Sequence, residues 1–238
     1  MNKKIIAIVP AAGLGKRFGA AVKKTFFSLN GAPLLIHALK RLHNEDCIAE
    51  IIPVLGEKDI ESGFQLVKEY NLSKVKRIAP GGPERQDSIY NALKLLQRHG
   101  IGPDDIVLIH DGVRPFIPKG LIERLVSGLK AFDGVVPGVP VKETLKEVNE
   151  EGVVISTVNR ARFRSIQTPQ AFSFEVIMKA YDRAYAEGFY ATDDAALVEK
   201  VGGKVKIIQG SPSNIKVTIP EDLEMVECLL NRENTIRR

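Results

Sequence analysis

Cysteine, tryptophan and long apolar runs are scarce in this chain of 238 residues. It contains two cysteines, Cys47 and Cys228, and no tryptophan, and aromatic residues make up 6% of it. Two cysteines without a histidine cluster argue against a disulfide framework and a zinc site. No run approaches the roughly 18 apolar residues of a membrane span, and the run at 5–9 is too short for a signal peptide. We therefore expect a soluble, cytoplasmic protein without a membrane partner.

The composition suits one domain over residues 1–238 and a small anionic substrate. Hydrophobic residues make up 44% of the chain, enough for a sizeable core, and we detect no linker or repeat. The net charge of +5 comes from lysines and arginines interleaved with acids rather than gathered in one block. With few aromatic residues for stacking on bases, we expect no nucleic-acid partner, and nucleic-acid binding remains a minor alternative.

Short apolar runs alternate with helical patterns along the chain. The predicted strands are 4–9, 50–54, 75–79, 105–109, 134–139 and 205–208, and the predicted helices are 33–42, 60–70, 84–96 and 121–131. Continuously apolar strands are typical of a sheet buried on both faces. The pattern predicts an α/β fold with a mainly parallel, Rossmann-like sheet whose ligand site lies outside the carboxyl ends of the strands.

Residues 141–160, VKETLKEVNEEGVVISTVNR, break this alternation. Their polar, alternating pattern around Glu151 and Gly152 predicts a protruding β-hairpin arm, the name used below for this segment. A hairpin with so little apolar surface is marginal alone, so we expect it to pack against a second subunit. An edge hairpin of a monomer is the alternative.

A glycine-rich loop, PAAGLGKRFG, follows the first predicted strand. It fits neither the dinucleotide fingerprint, because Phe18 stands where a third glycine is needed, nor the P-loop, because Arg17 follows Lys16. Backbone N–H groups of such a loop form an anion-binding concavity that cationic side chains can close. Because Lys23 and Lys24 follow shortly after, we interpret the loop as a phosphate site; a solvated turn is the alternative.

Two more charged residues lie beside predicted strands. Asp111 follows the fourth strand, where one carboxylate beside a polyphosphate would hold Mg²⁺; a turn aspartate, or one paired with Arg114, is the alternative. Lys216 has apolar neighbours in a predicted buried strand, so it needs an acid or a bound anion nearby unless it lies at an edge. Thr218 and Glu221 are expected to cap the helix that follows.

Six motifs in order along the chain resemble the 2-C-methyl-D-erythritol 4-phosphate cytidylyltransferases of the non-mevalonate isoprenoid pathway. They are PAAGLGKRFG with Lys24 behind it, GGPERQDSI from Gly81, HDGVRP from His110, TPQAF from Thr168, TDDA from Thr192 and NIKVT from Asn214. The resemblance implies a nucleotide-diphosphosugar transferase fold, a homodimer joined through the hairpin arm, and a divalent cation such as Mg²⁺. It also implies transfer of a cytidylyl group from CTP to methylerythritol phosphate, with release of pyrophosphate.

The resemblance also assigns the site residues. Arg17, Lys24 and Lys216 would be the catalytic cations, and Asp111 would bind both the nucleotide and the metal ion. The other nucleotide-binding residues would be Ala11, Ala12, Gly13, Gly15, Gly82 and Ser88. The residues that bind the polyol phosphate would be Thr144, Arg160, Thr168 and Thr192, of which the first two could serve the neighbouring subunit and the last also has the pattern of a helix N-cap.

Five positions depart from the family's usual pattern: Lys23, Thr25, Pro83, Gly112 and Val113. Lys23 replaces a usual proline before the catalytic lysine, and Gly112 and Val113 replace a pair of alanines near the ribose and base. Because Pro83 has no N–H, a cytosine contact must come from Gly82 or Ser88.

Three other functions are weighed against this one. A ribitol 5-phosphate cytidylyltransferase would share the nucleotide half of the site and differ in the acceptor pocket. A non-catalytic nucleotide-sensing module would have no need of transition-state cations. A dinucleotide oxidoreductase would need an acid at the end of the second strand, where Leu55 and Gly56 stand.

Overall fold

A central sheet of eight strands forms the frame of the computed structural model, which describes residues 3–13 and 23–236. The strands are β1 (Ile5–Pro10), β2 (Ser28–Leu29), β3 (Ala32–Pro33), β4 (Glu50–Leu55), β5 (Ala79–Pro80), β6 (Ile106–Ile109), β7 (Gly134–Pro140), β8 (Lys146–Val148), β9 (Val154–Thr157), β10 (Arg164–Ile166), β11 (Gln170–Ser173) and β12 (Val205–Gln209). The helices are α1 (Leu34–His43), α2 (Ile60–Glu69), α3 (Arg85–Arg98), α4 (Leu121–Gly128), α5 (Phe174–Ala186), α6 (Asp194–Lys200) and α7 (Glu221–Ile236).

The sheet is mostly parallel, which confirms the predicted fold class. Its order is β10-β7-β11-β6-β1-β4-β5, and β12 also pairs with β7. The pairs of β1 with β4 and β6, of β4 with β5, and of β7 with β12 are parallel. β10 and β11 run antiparallel to their neighbours. Because β11 is antiparallel to β6, its first residues lie beside the carboxyl end of β6.

Strand β1 shows why its sequence is continuously apolar. Ile5, Ala7 and Val9 pack in a cluster with α1 and α4, whereas Ile6 and Ile8 pack in a second cluster with α3, α5 and α6. Successive side chains of a strand point to opposite faces, so a sheet covered by helices on both sides needs apolar residues at every position. Each fully buried aliphatic side chain contributes about 1.5–3 kcal/mol.

A third apolar cluster joins α7 to the loop that follows β6. Val226 and Leu230 of α7 pack with Leu34, with Val113 and Phe116 of the loop, and with Val217. The Val217 N–H also donates to the carbonyl oxygen of Val113 (3.0 Å). This packing holds the segment of Lys216 against the loop that carries Asp111.

Several element boundaries differ from those predicted. The strand predicted at 75–79 is only the short β5 in the structure. Residue Val75 lies in a turn instead, where its N–H donates to the Leu72 carbonyl (2.9 Å). Helix α4 ends at Gly128, after which turns with i→i+3 hydrogen bonds run to Ala131. Lys216 lies outside any strand of the described residues rather than in a buried strand, because turn hydrogen bonds occupy residues 211–215 before it.

The start of α7 is capped by a residue other than those predicted. The Asp222 carboxylate accepts hydrogen bonds from the N–H groups of Thr218 (2.6 Å) and Ile219 (3.0 Å). The Thr218 hydroxyl instead donates to the Lys216 carbonyl (3.2 Å). The prediction that Thr218 and Glu221 form a capping box is therefore wrong, because the carboxylate one residue further on reaches both free amides.

The hairpin arm contains the two-stranded sheet of β8 and β9. These strands pair antiparallel, from Lys146 opposite Thr157 to Val148 opposite Val154, and Gly152 adopts φ +79° in the turn. Valine and isoleucine side chains of the arm are exposed, the most exposed being Ile155 at 62%. Whether the arm joins two subunits stays a prediction.

Two further observations concern the sequence-based expectations of compartment. Within residues 3–13 and 23–236, no helix is both long enough and apolar enough to cross a membrane. Cys47 and Cys228 are both exposed free thiols.

Candidate active site

Loops that follow β1, β5 and β6 meet at one edge of the sheet. Because these strands are parallel, their carboxyl ends lie together, and open α/β sheets bind ligands at that edge. The Ala11 N–H donates to the carbonyl of Val54 (2.9 Å), and the Gly81 N–H donates to the carbonyl of Leu55 (2.7 Å). The first loop and the glycine loop after β5 are thus both anchored on the end of β4.

The backbone of this edge is packed too closely for larger side chains. A Cβ on Gly81 would overlap the Ala12 methyl group and lie 3.3 Å from the carbonyl oxygen of Leu55. A Cβ on Gly112 would lie 3.1 Å from the Ala11 methyl, so the departure from alanine at 112 relieves a tight contact. Gly13 is exposed beside them. Gly15 and Arg17, also predicted for the site, lie outside the described residues.

The Ser88 hydroxyl is used to shape the glycine loop. It accepts a hydrogen bond from the Gly82 N–H (3.0 Å) and donates one to the carbonyl of Glu84 (3.1 Å), and Ser88 is only 3% exposed. The loop is therefore folded back on the first turn of α3. The predicted hydrogen bond from Ser88 to a cytosine would have to use the remaining lone pair of this oxygen.

Asp111 is the centre of a charged cluster at the end of β6. Its side chain is 8% exposed, and its oxygens lie 2.9 Å from Lys216 Nζ, 3.2 Å from Arg85 Nε and 3.5 Å from Arg114 Nε. Burial alone would raise the pKa of this carboxyl group. The charges of Arg85, Lys216 and Arg114 outweigh burial and hold the pKa of Asp111 well below its usual range, so it is an ionised carboxylate.

Arg85 links Asp111 to the start of α6. Its two terminal nitrogens donate to both oxygens of Asp194 (3.1 and 2.8 Å), in the bidentate geometry that a guanidinium favours. Asp194 is 1% exposed and also accepts a hydrogen bond from the Tyr181 hydroxyl (2.6 Å). Burial lowers the pKa of Arg85, but its two carboxylate partners raise the pKa by more than burial lowers it, so the guanidinium stays charged.

The residues after Arg85 hold the loop that leads into α6. The buried Gln86 amide donates to the carbonyl of Phe189 (3.0 Å) and accepts from the N–H of Ala191 (3.0 Å). Asp87 closes a capping box with Glu84 and accepts hydrogen bonds from the hydroxyls of Tyr185 and Tyr190. The first turn of α3 therefore fixes both the glycine loop and the loop that carries Thr192.

A buried hydrogen-bond chain lies behind Asp111. The Asp111 N–H donates to the Thr168 hydroxyl oxygen (3.1 Å), which is 3.1 Å from His110 Nδ1, and His110 Nε2 is 3.0 Å from the carbonyl oxygen of Arg114. His110 is fully buried, and burial lowers its pKa to about 4, so the imidazole is neutral at physiological pH. Thr168 is 5% exposed, which leaves its hydroxyl little access to a substrate.

The segment of Lys216 is anchored by amide side chains. The buried Asn214 donates from Nδ2 to the carbonyl of Thr168 (2.7 Å), and its backbone carbonyl accepts from Arg114 (2.7 Å). Gln167 holds Ser211 through hydrogen bonds at 2.7 and 3.1 Å. The sequence left an acid, a bound anion or an edge position open for Lys216, and the structure shows a side chain that is 42% exposed and paired with Asp111.

Lys23 and Lys24, which follow the glycine-rich loop, have different surroundings. Lys24 begins a short 3-10 turn, Lys24–Phe26, and is partly buried. Lys23 forms an ion pair with Asp59, which follows β4.

The other predicted substrate residues lie on exposed chain. Thr192 precedes α6, but the N-cap is Asp193, whose carboxylate accepts from the Ala196 N–H (3.0 Å), so the cap predicted for Thr192 is wrong. Thr144 and Arg160 are exposed at the two ends of the hairpin arm, where Arg160 donates to the carbonyl of Lys142. Among the described residues, no hydrogen bond or ion pair joins Thr144 or Arg160 to the Asp111 cluster of the same chain.

The donor set suits a metal ion that takes most ligands from a substrate. Within the described ranges, no three His, Cys, Asp or Glu side chains are grouped closely enough to hold a metal ion. Asp111 is one ionised carboxylate that faces three cations, of which Lys216 is the most exposed. Mg²⁺ is commonly held by one or two carboxylates together with phosphate oxygens and water, so the residues fit Mg²⁺ that arrives with a polyphosphate.

Comparison with known proteins gives the family. The family model for 2-C-methyl-D-erythritol 4-phosphate cytidylyltransferase matches residues 5–232. The cytidylyltransferase of Syntrophus aciditrophicus is 40% identical over 234 residues, with 98% of each chain covered, and that of Bacillus licheniformis is 41% identical over 233 residues, with 98% of this chain and 97% of the relative covered.

Solved structures agree with the sequence relatives. The crystal structure of 4-diphosphocytidyl-2C-methyl-D-erythritol synthase from Anaerococcus prevotii has a TM-score of 0.82 and 31% identity, with 96% of each chain covered. That of the Thermus thermophilus cytidylyltransferase has a TM-score of 0.73 and 29% identity, covering 94% of this chain and 98% of the other. Both the sequence and the fold therefore lead to one conclusion: the chain belongs to the 2-C-methyl-D-erythritol 4-phosphate cytidylyltransferase family.

Proposed function

We propose that the protein joins CTP and 2-C-methyl-D-erythritol 4-phosphate to give 4-diphosphocytidyl-2-C-methyl-D-erythritol and pyrophosphate, in isoprenoid precursor synthesis. The observation that carries this proposal is the family match over residues 5–232, which includes every motif that surrounds the Asp111 cluster. One catalytic domain would span the chain, because Lys216 near its end pairs with Asp111 near its middle.

The reaction asks the protein for alignment and for cations. An oxygen of the methylerythritol phosphate attacks the α-phosphorus of CTP, a new P–O bond forms, and the bond from this phosphorus to the bridging oxygen breaks as pyrophosphate leaves. Both reactants are highly anionic, and charge builds on the α-phosphate oxygens in the transition state. Fixed backbone N–H groups and cationic side chains supply the positioning and the stabilisation.

Small residues would receive the nucleotide. Ala11, Ala12 and Gly82 allow a base to lie against the backbone, and the contact of Gly81 with Ala12 supports one continuous surface across the two loops. Ser88 would reach the cytosine through its remaining lone pair or act by holding Gly82 in place. Gly13 and Gly15 would supply N–H groups to the phosphates.

Cations would hold the triphosphate and stabilise the transition state. We assign this role to Arg17, Lys24 and Lys216. Lys216 is supported by its position on the Asp111 cluster and by its exposed side chain.

Asp111 would be the protein ligand of a Mg²⁺ ion that comes with CTP. Its low pKa keeps it a carboxylate across the physiological range, as a metal ligand must be. When bound, the ion would neutralise phosphate charge and polarise the phosphoryl oxygens. Arg85 and Arg114 would keep the carboxylate oriented while Lys216 turns toward the substrate.

The polyol phosphate would be bound by Thr144, Arg160 and Thr192, whereas the buried hydroxyl of Thr168 would serve the hydrogen-bond chain behind Asp111. A guanidinium suits bidentate contact with the substrate's phosphate, which supports Arg160. Thr144 and Arg160 lie on the hairpin arm, so we assign them to the site of a second subunit in a homodimer. The exposed apolar residues of the arm, with Ile155 at 62% and Val153 at 58%, support burial against a partner.

The free thiols of Cys47 and Cys228 are consistent with a cytoplasmic location.

The test is pyrophosphate release with Mg²⁺ and CTP, offering methylerythritol 4-phosphate and ribitol 5-phosphate in parallel reactions. ATP, GTP and UTP replace CTP in control reactions. Turnover with CTP and methylerythritol 4-phosphate is expected. A preference for ribitol 5-phosphate would keep the mechanism and change the pathway, and CTP binding without turnover on any acceptor would favour the sensing module.

A further inference from the structure

The hydrogen-bond chain behind Asp111 contains a histidine with no role in the reaction proposed above. His110 is fully buried at the carboxyl end of β6, directly before Asp111. Both of its ring nitrogens have partners, the Thr168 hydroxyl at Nδ1 and the Arg114 carbonyl at Nε2. Both polar atoms of this buried imidazole are therefore satisfied, as burial requires, and the two bonds fix the ring in one place.

The partners fix the position of the proton on the ring. A carbonyl oxygen can only accept a hydrogen bond, so Nε2 must carry the proton that is donated to Arg114. In the neutral ring Nδ1 is then an acceptor, and the Thr168 hydroxyl donates to it. That orientation leaves the lone pairs of the Thr168 oxygen directed at the Asp111 N–H, 3.1 Å away. Each group in this hydrogen-bond chain is thus assigned as a donor or an acceptor without conflict.

We propose that His110 is a positioning residue that fixes the backbone of Asp111 through the Thr168 hydroxyl. The Asp111 N–H is anchored on Thr168, Thr168 is oriented by Nδ1, and Nε2 ties the same ring to the turn that brings Arg114 back to the carboxylate. The carboxylate would then project in one direction before any substrate arrives. This inference rests on the proposed reaction, in which Asp111 holds the metal ion and the triphosphate.

Two substitutions of His110 separate the hydrogen bond to Thr168 from the hydrogen bond to Arg114. In His110→Asn the side-chain oxygen can occupy the place of Nδ1 and accept from Thr168, while the bond to Arg114 is lost. In His110→Gln the longer amide can donate to Arg114, while the acceptor for Thr168 is lost. Because action on Asp111 runs through Thr168, the asparagine variant should retain much more function than the glutamine variant. His99→Asn, at an exposed histidine at the end of α3, is the matched control.

Calorimetric titration with CTP, with and without Mg²⁺, provides a readout other than turnover. Groups behind a metal ligand typically contribute about 10–100-fold to metal affinity or activity, so His110→Gln should lose about tenfold or more of the Mg²⁺-dependent gain in CTP affinity. His110→Asn should stay within about threefold of the unmodified protein on the same scale. In turnover, kcat should fall in the glutamine variant more than the KM for methylerythritol phosphate rises.

The ring proton is tested in the unmodified protein, where folding of a variant is not in question. In long-range ¹H–¹⁵N NMR of ¹⁵N-histidine protein, His110 is assigned as the histidine whose signals vanish in His110→Asn, and it should show a protonated Nε2 and an unprotonated Nδ1. A proton on Nδ1 of His110 would overturn the proposal, as would equal losses in the two variants. If the unmodified protein releases no pyrophosphate, the proposed function fails, and the proposal for His110 is then decided by the tautomer and by the CTP titrations.

Discussion

Replacing Arg85 with alanine is expected to destabilise the protein because two buried carboxylates share this one guanidinium. Asp194 is 1% exposed and receives both terminal nitrogens of Arg85, and Asp111 receives Nε. In the variant, Asp111 keeps Lys216 and Arg114. Asp194 keeps only the Tyr181 hydroxyl at 2.6 Å among the partners described here, so its charge stays buried without a cation.

The magnitude follows from the burial of the pair. Removing one partner of a buried ion pair costs about 3–5 kcal/mol, because it leaves an uncompensated charge out of water. The Arg85 side chain is 31% exposed and Tyr181 remains, so we take the lower end, about 3 kcal/mol. In a protein of this size, 1 kcal/mol shifts the melting temperature by roughly 2–4 °C, which gives a decrease of about 6–12 °C.

Urea denaturation and calorimetry of four variants test this reasoning. Arg98→Ala, at an exposed arginine of the same helix, should change the free energy of unfolding by no more than about 0.5 kcal/mol. Asp194→Asn removes the buried charge, so the double variant Arg85→Ala/Asp194→Asn should be more stable than Arg85→Ala alone. A coupling energy of about 1 kcal/mol or more is expected from this cycle. A melting temperature for Arg85→Ala equal to that for Arg98→Ala would refute the argument.

Three other predictions concern catalysis, pH and assembly. Lys24→Ala and Lys216→Ala should each lower kcat by about 100-fold or more with folding intact. The control Lys58→Ala, at an exposed lysine, should leave kcat unchanged. An unchanged kcat in Lys24→Ala or in Lys216→Ala would contradict the assigned mechanism. Burial lowers the pKa of His37, so its folded state binds the proton less tightly than the unfolded state, and stability should fall as the pH drops below the usual value of about 6.5. In urea titrations, the free energy of unfolding should depend less steeply on pH in His37→Gln than in the unmodified protein. An unchanged slope would show that protonation of His37 is not a cause of the pH dependence. In sedimentation, the unmodified protein should run as the proposed dimer and Ile155→Glu as a monomer with lower turnover, and a dimer that persists in this variant would remove the hairpin arm from the interface.

Strands β1, β4 and β6, the centre of the parallel part of the sheet, could be predicted because each carries the signal in its own residues. β1, β4 and β6 are covered on both faces, so nearly every position is apolar and the run stands out from its surroundings. β11 could not be found in this way. It is short, starts with Gln170, and joins the sheet between β6 and β7 only through pairings distant in the sequence. The helices that follow it, α5 and α6, were not predicted either.

The residues of the candidate site also fall into those with a local signal in the sequence and those without one. Asp111 and the first glycine-rich loop were found because each follows an apolar run, and Lys216 was found by its apolar neighbours, whereas the glycines after β5 were identified only through the family motif GGPERQDSI. Arg85 and Asp194 lie 109 positions apart, and nothing local distinguishes their charges from those of solvated residues. The signal that could have found them is their place in the motifs GGPERQDSI and TDDA, each at the start of a helix.

The division of roles among the three cations around Asp111 follows from how each is held. Arg85 is tied to Asp194 by two hydrogen bonds, and Arg114 is 9% exposed and donates to the carbonyl of Asn214, so neither can leave without breaking buried contacts. Lys216 is 42% exposed and has the freedom of a lysine side chain, and its contact with Asp111 is a single ion pair. An anionic substrate that competes for a cation should therefore draw Lys216 away first, while the two arginines keep the carboxylate ionised. The same cluster would then be stable with the site empty and reactive with it filled, because only one of its three cations is free to change partners.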